Sequence, residues 1–208
     1  IQQSEQAHIE HAMSTHFKKA ADDLQHIVEL YAKDAQVQQL VTETDRQTLQ
    51  KMGGALFKRL EKEHHLTVFE IGDTNGIVHI RGHQPEKSGD DKSQIIAIQQ
   101  ALAGQSISGF EYGSSGLSIR AFAPIEQNGR VIGTLQMGLG NEFITDIQNL
   151  FPETLIHLVN ESGEVVLSSD EEMIGEVLTA DGVAKAMTGE QTRLKDSDQK
   201  TIESFIPI

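Results

Sequence analysis

The sequence contains no cysteine, no tryptophan and only four prolines in 208 residues. Without cysteine, the chain has no disulfide framework, no thiolate zinc site, no thiol nucleophile and no c-type haem attachment. Aromatic residues make up 5% of the sequence, and no apolar run approaches the roughly 18 residues that a membrane span needs. The chain starts at Ile1 with neither a Met nor a signal-like apolar segment, so we expect it to be a piece of a longer protein.

Motifs of the common catalytic and metal sites are also missing. The sequence has no His-Glu-x-x-His, no Gly-x-Ser-x-Gly and no Walker loop. His8 and His11 belong to a polar helical stretch, and the cation Arg81 stands between His79 and His83, where a metal would need only ligands. We therefore expect no enzymatic activity, no metal and no other cofactor, and a secreted hydrolase is disfavoured.

Acidic residues outnumber basic ones by 31 to 17, which gives a formal net charge of −14. Such a chain repels phosphate backbones and anionic lipid surfaces on average, so we expect no nucleic-acid partner. With 38% apolar and 23% charged residues, the composition is typical of a packed globular protein.

Residues 1–65 contain almost no glycine or proline and are rich in residues that favour helix. Apolar positions recur there every three or four residues in two stretches, 13–31 and 49–60. Between the two stretches, Thr44 or Asp45 is placed to cap a second helix. We expect two consecutive helices or one long kinked helix.

A helix of this length has consequences for assembly. About 40 residues of helix would extend roughly 60 Å, which is longer than a domain of this size, so the helix would protrude or pair. The apolar stripe stays close to heptad spacing, which favours a homodimer through the N-terminal helix. The alternative is that the stripe packs on its own domain.

After Leu66 the apolar period changes from that of a helix to that of a strand. The pattern predicts a strand, a turn, a strand, a helix and two further strands at 66–71, 73–76, 77–83, 93–103, 117–125 and 131–138. Gly104 ends the predicted helix. This order predicts an α+β fold in which a long N-terminal helix precedes an antiparallel sheet with a helix on one face.

The same order of elements returns later in the chain. Segments 67–78, 100–105 and 122–125 correspond to 155–165, 185–190 and 205–208. Gly163 follows Gly76 by 87 positions, and Pro207 follows Pro124 by 83. We predict two tandem modules, 66–145 and 146–208, the second cut before its last two strands. Chance similarity between two antiparallel units is the alternative.

These landmarks resemble the double Cache extracytoplasmic sensor domains of bacterial transmembrane receptors, in which a long helix precedes tandem PAS-like modules. The more specific marks are 81–87 (RGHQPEK), 89–91 (GDD), 116–125 (GLSIRAFAPI) and 131–135 (VIGTL). They are most similar to the Cache subgroup of methyl-accepting chemotaxis proteins and sensor kinases. Citrate and C4-dicarboxylate sensor kinases are more distantly similar, and here one residue instead of two separates Arg81 from His83.

The resemblance implies a receptor input domain in the periplasm, outside the inner membrane. In the full protein, transmembrane helices would flank the domain and a cytoplasmic signalling module would follow it. Contact with the membrane would then be made only by those flanking segments, which are absent from this sequence.

Two strands bring candidate ligand-binding residues together. Alternate residues of a strand share a face, so His79, Arg81 and His83 are expected to point together. The same parity groups three residues of a later strand, which are Ser118, Arg120 and Phe122. If the two polar faces meet, the natural occupant is a carboxylate, because a guanidinium group binds it in bidentate fashion.

The two arginines also have a simpler interpretation. Arg81 and Arg120 would form ordinary ion pairs if Glu70, Asp90 or Asp91 lay beside them. With the family resemblance, a ligand site and such ion pairs are about equally supported by the sequence.

Loop and aromatic residues complete the candidate site. The loop 87–93 either caps the following helix through Asp91 or Ser93, or closes over the ligand as a lid that carries Asp90. Tyr112, with the aromatic residue of the later strand, would wall the site, although aromatic residues on strands are more often part of a core.

The leading hypothesis is therefore a ligand-binding sensor domain of a transmembrane chemoreceptor that recognises a small anionic metabolite. The same fold on a histidine kinase or a diguanylate cyclase is an alternative, since the missing cytoplasmic part decides the output. A dimerisation stalk that binds no ligand is the other alternative.

Overall fold

The structure, a computed structural model, describes residues 2–113, 116–140, 142–179, 181–195 and 202–207. The α-helices within these ranges are α1 (Gln2–Ala32), α2 (Ala35–Thr42), α3 (Arg46–His64), α4 (Ile96–Leu102), α5 (Glu142–Leu150) and α6 (Asp181–Met187). The strands are β1 (Leu66–Gly72), β2 (Val78–Arg81), β3 (Ile107–Gly113), β4 (Gly116–Gln127), β5 (Arg130–Leu139), β6 (His157–Val159), β7 (Val165–Ser168), β8 (Thr192–Lys195) and β9 (Ile202–Phe205).

The N-terminal region forms three helices instead of the one or two predicted. The predicted break is confirmed, because Asp45 caps α3 and its carboxylate accepts a hydrogen bond from the Thr48 N–H at 2.8 Å. A second break was not predicted. It lies at Asp34, whose carboxylate accepts from the Gln36 N–H at 2.8 Å and caps α2.

The apolar stripe of α1 is covered within the chain. The buried residues recur every three or four positions and are Phe17, Ala21, Leu24, Val28 and Ala32. This covered stripe agrees with the alternative that it packs on its own domain. The homodimer through the N-terminal helix stays a prediction.

The chain divides into two compact units. The sheet unit comprises residues 21–111 and 118–140, and the tail unit comprises 1–20, 112–117 and 141–208. The boundary between the units falls within α1, with residues up to 20 in the tail unit and residues from 21 onward in the sheet unit. The predicted module boundaries at 65 and 145 stay a prediction.

The sheet unit is built around a five-stranded sheet in the order β2-β1-β5-β4-β3. Strands β1 and β5 pair antiparallel, with Phe69 opposite Met137 and Ile71 opposite Leu135, and all four side chains are fully buried. The antiparallel sheet, the 66–83 hairpin and the strands on either side of residues 127–129 agree with prediction. Strand β3 was not predicted.

Helix α3 packs very closely against the end of β2. A Cβ added at Gly53 would lie 2.9 Å from Ile80 Cγ1, and one added at Gly82 would lie 2.6 Å from Phe57 Cβ. Only glycine leaves room for this approach. The close contact holds the end of β2 in place, and with it the backbone of Arg81.

The tail unit contains two two-stranded sheets, β6-β7 and β8-β9. Among the described residues of this unit, the most buried charged group is Glu10 of α1, which is 4% exposed. The carboxylate of Glu10 accepts hydrogen bonds from Gln191 at 2.7 Å and from Arg193 and Ser204 at 2.5 Å. The hydrogen bond from Arg193 outweighs the effect of burial and lowers the pKa of Glu10. These bonds fasten the start of α1 to β8 and β9.

The sequence repeat is present in the backbone. Gly76 and Gly163 adopt φ angles of 77° and 83° in equivalent turns, a region that favours glycine. Three backbone hydrogen bonds from N–H to C=O occur in both copies. The bond from Lys92 to Gly76 corresponds to that from Leu178 to Gly163, and the bond from Val78 to Asp90 corresponds to that from Val165 to Glu176. The bond from Gln105 to Gln100 corresponds to that from Glu190 to Lys185. One backbone frame is therefore used twice.

Candidate functional site

One face of the five-stranded sheet carries polar residues beneath α4. Glu70 on β1, Gln136 on β5 and Phe122 on β4 are direct neighbours across the three strands. Such neighbours project to the same face of a sheet. Phe122 packs against Ile98 and Ala101 of α4, so this face is the one that α4 covers. The apolar Phe69 and Ile71 alternate with Glu70 and belong to the opposite face.

Glu70 is the centre of a buried ion-pair cluster at the β2 side of this face. Its side chain is 4% exposed, and its two oxygens accept hydrogen bonds from Arg81 Nε at 2.8 Å and Lys92 Nζ at 2.7 Å. Arg81 also pairs through Nη2 with Asp90. Burial alone would lower the pKa of Arg81, but Asp90 and Glu70 outweigh it and raise that pKa. Arg81 is therefore a neutralised, structural cation.

The segment after β2 is tied back to the sheet unit, which explains how Asp90 reaches Arg81. The Val78 N–H donates to the Asp90 carbonyl at 2.9 Å, and the Gly89 N–H donates to the Val78 carbonyl at 2.8 Å. At the other end of the segment, Arg46 of α3 donates to the Pro85 carbonyl at 2.8 Å.

Arg120 on β4 is a buried cation of a different kind. Its side chain is 12% exposed, and its Nε lies 3.6 Å from Glu111 Oε2, too far for a hydrogen bond. Nε and Nη1 are buried and have no hydrogen-bond partner. Burial lowers the pKa of Arg120, although Glu111 and Glu70 oppose that shift. Two donor nitrogens of a buried guanidinium group are thus unused, which is costly unless a ligand accepts from them.

A glycine on the neighbouring strand makes room for this guanidinium group. Gly138 of β5 is the register partner of Arg120. A Cβ added at Gly138 would lie 3.0 Å from Arg120 Cδ and 3.1 Å from Cζ, and closer still to Nη1. The Arg120 side chain therefore lies flat across β5, where any other residue at position 138 would displace it.

Unpartnered acceptors accompany the unpartnered donors. In the described ranges, five buried side-chain nitrogen and oxygen atoms have no hydrogen-bond partner. Four of the five belong to this face: Nε and Nη1 of Arg120, Oε2 of Glu111 and Oε1 of Gln136. Buried polar atoms are normally satisfied, so this concentration makes the face the candidate site.

His83 borders the cluster but is occupied by the backbone. Its Nδ1 lies 3.3 Å from the Phe69 nitrogen and 3.1 Å from the Phe69 oxygen, and its ring meets that of Phe57 edge-on at 6.0 Å. Burial lowers the pKa of His83, so the ring is neutral near pH 7.

The sequence profile of a protein family matches residues 2–204, nearly the whole chain. That family is described as the double sensory domain of two-component sensor kinases. The chain is a double Cache sensor domain. Among curated protein sequences, none matches it.

Solved structures share the fold of this sensor domain. The V. cholerae histidine kinase DctB sensor domain has a TM-score of 0.72 at 12% identity, with 99% of this chain and 86% of that chain covered. The ligand-binding domain of the Campylobacter jejuni chemoreceptor Tlp3, in complex with 4-methylisoleucine, has a TM-score of 0.64 at 16% identity, covering 94% and 82%. The E. coli DcuS sensor domain has a TM-score of 0.54 at 19% identity, with 65% of this chain and 98% of that chain covered.

The structure of the sensor domain separates the residues that the sequence grouped on one face. His79 Nε2 lies 3.0 Å from the Glu43 carbonyl oxygen, at the connection between α2 and α3. Arg81 and Asp90 pair with each other, and Arg81 also pairs with Glu70, which is the ion-pair alternative raised by the sequence.

The later strand divides in a similar way. Phe122 is 5% exposed and lies in the apolar cluster beneath α4, as expected of a core aromatic. Ser118 is buried and donates to the Glu111 carbonyl at 3.4 Å. Arg120 alone among these three has unused hydrogen-bonding atoms. The side chain of Tyr112 lies outside the described residues.

The loop before α4 does not cap that helix. Asp91 accepts from the Ser93 N–H at 2.9 Å, whereas α4 starts after Ile95 without a side-chain cap. The cap prediction was wrong because Asp91 closes its own local turn, four residues before the N-cap position Ile95. The lid alternative stays a prediction.

Three further polar residues of the site were not singled out from the sequence: Lys92, Glu111 and Gln136. A signal was available for Glu70, since one carboxylate stands within an otherwise largely apolar strand, LTVFEIG.

No helix in the described part of the chain is long and apolar enough to cross a membrane. Within the same ranges, His, Asp and Glu side chains form no group of three or more suited to a metal ion.

Proposed function

We propose that this sensor domain is the extracytoplasmic input part of a transmembrane receptor and binds a small carboxylate through Arg120. The observation that carries the proposal is the buried guanidinium group of Arg120, whose Nε and Nη1 have no hydrogen-bond partner. A carboxylate oxygen is the acceptor that suits either of these charged donors, because charge-assisted hydrogen bonds are the stronger ones.

Arg81 has a supporting role in this proposal. Glu70 and Asp90 already accept from it, so its charge is balanced before any ligand arrives. The Glu70 cluster instead gives the ligand site a fixed wall on the β2 side. His83, held by the Phe69 backbone, belongs to the same wall.

The kind of signalling protein that carries this domain is proposed from the family match and not from the site. The matched family is described by its occurrence in two-component sensor kinases, which favours a histidine kinase. A methyl-accepting chemotaxis protein is the second candidate, because a chemoreceptor domain shares the fold over 94% of this chain. In both cases ligand binding would act by shifting the domain between two states with different affinities.

A thermal-shift screen over organic acids, amino acids and inorganic anions tests the proposal. A ligand at 100 times its Kd stabilises the folded state by about 2.7 kcal/mol, which for a chain of this size raises Tm by about 5–10 °C. We expect that response from a carboxylate with the wild-type domain, and its loss in Arg120→Gln.

Arg130→Gln is the matched control, since Arg130 is exposed at the start of β5, and it should respond like the wild type. Stabilisation by cations or neutral compounds alone would contradict the proposal. So would an undiminished carboxylate response in Arg120→Gln.

A further inference from the structure

We infer that Asn128 is a site of spontaneous chemical modification, at which the side-chain amide is converted to a mixture of aspartate and isoaspartate. Asn128 and Gly129 form the two-residue turn between β4 and β5. The reaction uses the backbone nitrogen of Gly129 and one molecule of water, and it needs no enzyme. The modification site is separate from the proposed ligand-binding face and does not depend on it.

The first step is an attack of the Gly129 backbone nitrogen on the side-chain carbonyl carbon of Asn128. A new C–N bond closes a succinimide ring, and the side-chain nitrogen leaves as ammonia with the proton that the backbone nitrogen gives up. Water then opens the ring at either of its carbonyl carbons. One opening gives aspartate, and the other gives isoaspartate, in which the main chain runs through the side-chain carbon. No oxidation or reduction takes place.

The turn leaves the reacting groups accessible. Glycine has no Cβ, so it hinders the approach of its own nitrogen less than any other residue does. A Cβ added at Gly129 would meet no atom within 4 Å, so there is open space at this position. Residues 126–130 are all exposed, and water therefore reaches the turn from every residue that forms it.

The turn can also open at little cost. Asn128 and Gly129 adopt φ angles of 52° and 73°, and the attack requires Asn128 to leave this left-handed conformation. The β4–β5 ladder has a register shift just before the turn, between Ile125 and Glu126. Only two register pairs separate the shift from the turn, which are Glu126 with Val131 and Gln127 with Arg130. Exposed hairpin ends of this kind belong to the parts of a fold that open most readily.

Asn75 and Gly76 form the other Asn-Gly pair of the sequence, and there the structure hinders the reaction. The Gly76 N–H donates to the Asp73 carbonyl at 3.2 Å, and Asn75 Nδ2 donates to Asp73 Oδ2 at 3.3 Å. A Cβ added at Gly76 would lie 2.7 Å from Ser93 Cα, so the backbone is packed against another segment. Both reacting groups are held in place, and Asn75 should keep its amide while Asn128 reacts.

The isoaspartate product should disturb the hairpin. A two-residue turn fits the twist of its flanking strands, and isoaspartate adds one main-chain carbon to that turn. The Glu126 carbonyl accepts a hydrogen bond from Gln38 Nε2 of α2 at 3.0 Å, so a displaced turn also affects a contact with the helices. We expect the modified domain to have a Tm lower by about 2–4 °C.

Incubation of the whole domain at mildly alkaline pH in heavy-oxygen water, followed by peptide mass spectrometry, tests the inference. Each product takes up one labelled oxygen from the water, which identifies the modified peptide. We expect the peptide with Asn128 to convert about tenfold or more faster than the peptide with Asn75, because two hydrogen bonds must first break at Asn75. In the chain unfolded by urea, the two peptides should convert at similar rates.

Asn128→Gly is the matched control, because glycine removes the reactive amide and still adopts the positive φ of the turn. This variant should keep its Tm during the incubation. The inference is wrong if Asn75 converts as fast as Asn128 in the folded domain. It is also wrong if Asn128 stays unmodified in the folded domain while the unfolded chain converts. A fall of Tm in Asn128→Gly as large as that of the wild type would overturn the expected effect on the hairpin.

Discussion

Two arginines of equal exposure should respond to the same substitution with opposite signs. The side chains of Arg81 and Arg120 are both 12% exposed and lie on one face of one sheet. Arg81→Met removes a partner from the buried carboxylate of Glu70. Arg120→Met removes a buried cation whose donors are unused. We expect the ligand-free domain to lose stability in the first variant and to gain it in the second.

The expected magnitudes follow from the contacts. Breaking a buried ion pair from one side costs 3–5 kcal/mol, and because Lys92 still pairs with Glu70 the loss in Arg81→Met should be about 3 kcal/mol. In Arg120→Met, release of unsatisfied buried donors should outweigh the weak Glu111 pair and stabilise the domain by about 2 kcal/mol. These values correspond to a Tm lower by about 6–12 °C and higher by about 4–8 °C.

Urea unfolding followed by circular dichroism, with the ligand-free domain at pH 7, measures both free energies of unfolding. The ligand response should disappear in Arg120→Met even though its stability rises, since the proposed site trades stability for unsatisfied donors that a ligand would use. Equal destabilisation of both variants would refute the reasoning, because it would show that Arg120 is already fully paired in the free domain.

Three other substitutions test separate parts of the structure. Gly138→Ala should leave the free energy of unfolding nearly unchanged but weaken carboxylate binding by about tenfold or more, because the Arg120 guanidinium group must move. The control Gly109→Ala, whose added Cβ would meet no atom within 4 Å, should bind a carboxylate normally in the same titration. His83→Asn should flatten the fall of Tm with acid. The folded pKa of His83 lies below its ordinary value of 6.5, so the unfolded chain takes up the proton first and wild-type stability is lost as pH falls below 6.5. Glu10→Gln should lower Tm at pH 7. The difference should shrink as pH falls below the ordinary Glu pKa of 4.5 and vanish once the folded wild-type carboxylate, whose pKa is lower, is protonated; a constant difference down to pH 2 would contradict the role of the Arg193 pair.

The N-terminal helices show what local chemistry can and cannot predict. Asp45 was a recognisable cap because the apolar pattern lapses around it. Asp34 is a cap of the same kind, but it comes only two residues after Ala32, the last buried residue of α1, so no lapse of the apolar pattern precedes the break. The hairpin and the later strands were predictable because alternation and turn residues coincide there.

The site was predictable only in its residue types. Strand parity placed Arg81 and Arg120 on polar faces, but it could not show which of them had a partner. That depended on Glu111, which lies on β3, a strand that the glycine-interrupted sequence ISGFEYG does not reveal. It also depended on register, which sets Gly138 beside Arg120 and Glu70 beside Arg81.

The twice-used backbone frame means that architecture and recognition can vary independently in this chain. Where the first copy has Glu70, Arg81 and Lys92, the equivalent positions of the second copy hold His157, Ser168 and Leu178. The turns and bridging bonds persist although the ion pairs of Glu70 have no counterpart there, so the frame does not need those ion pairs to form. Specificity can accordingly be rewritten by exchanging a few side chains on one face, and a charged site from one copy is a candidate for grafting onto the other.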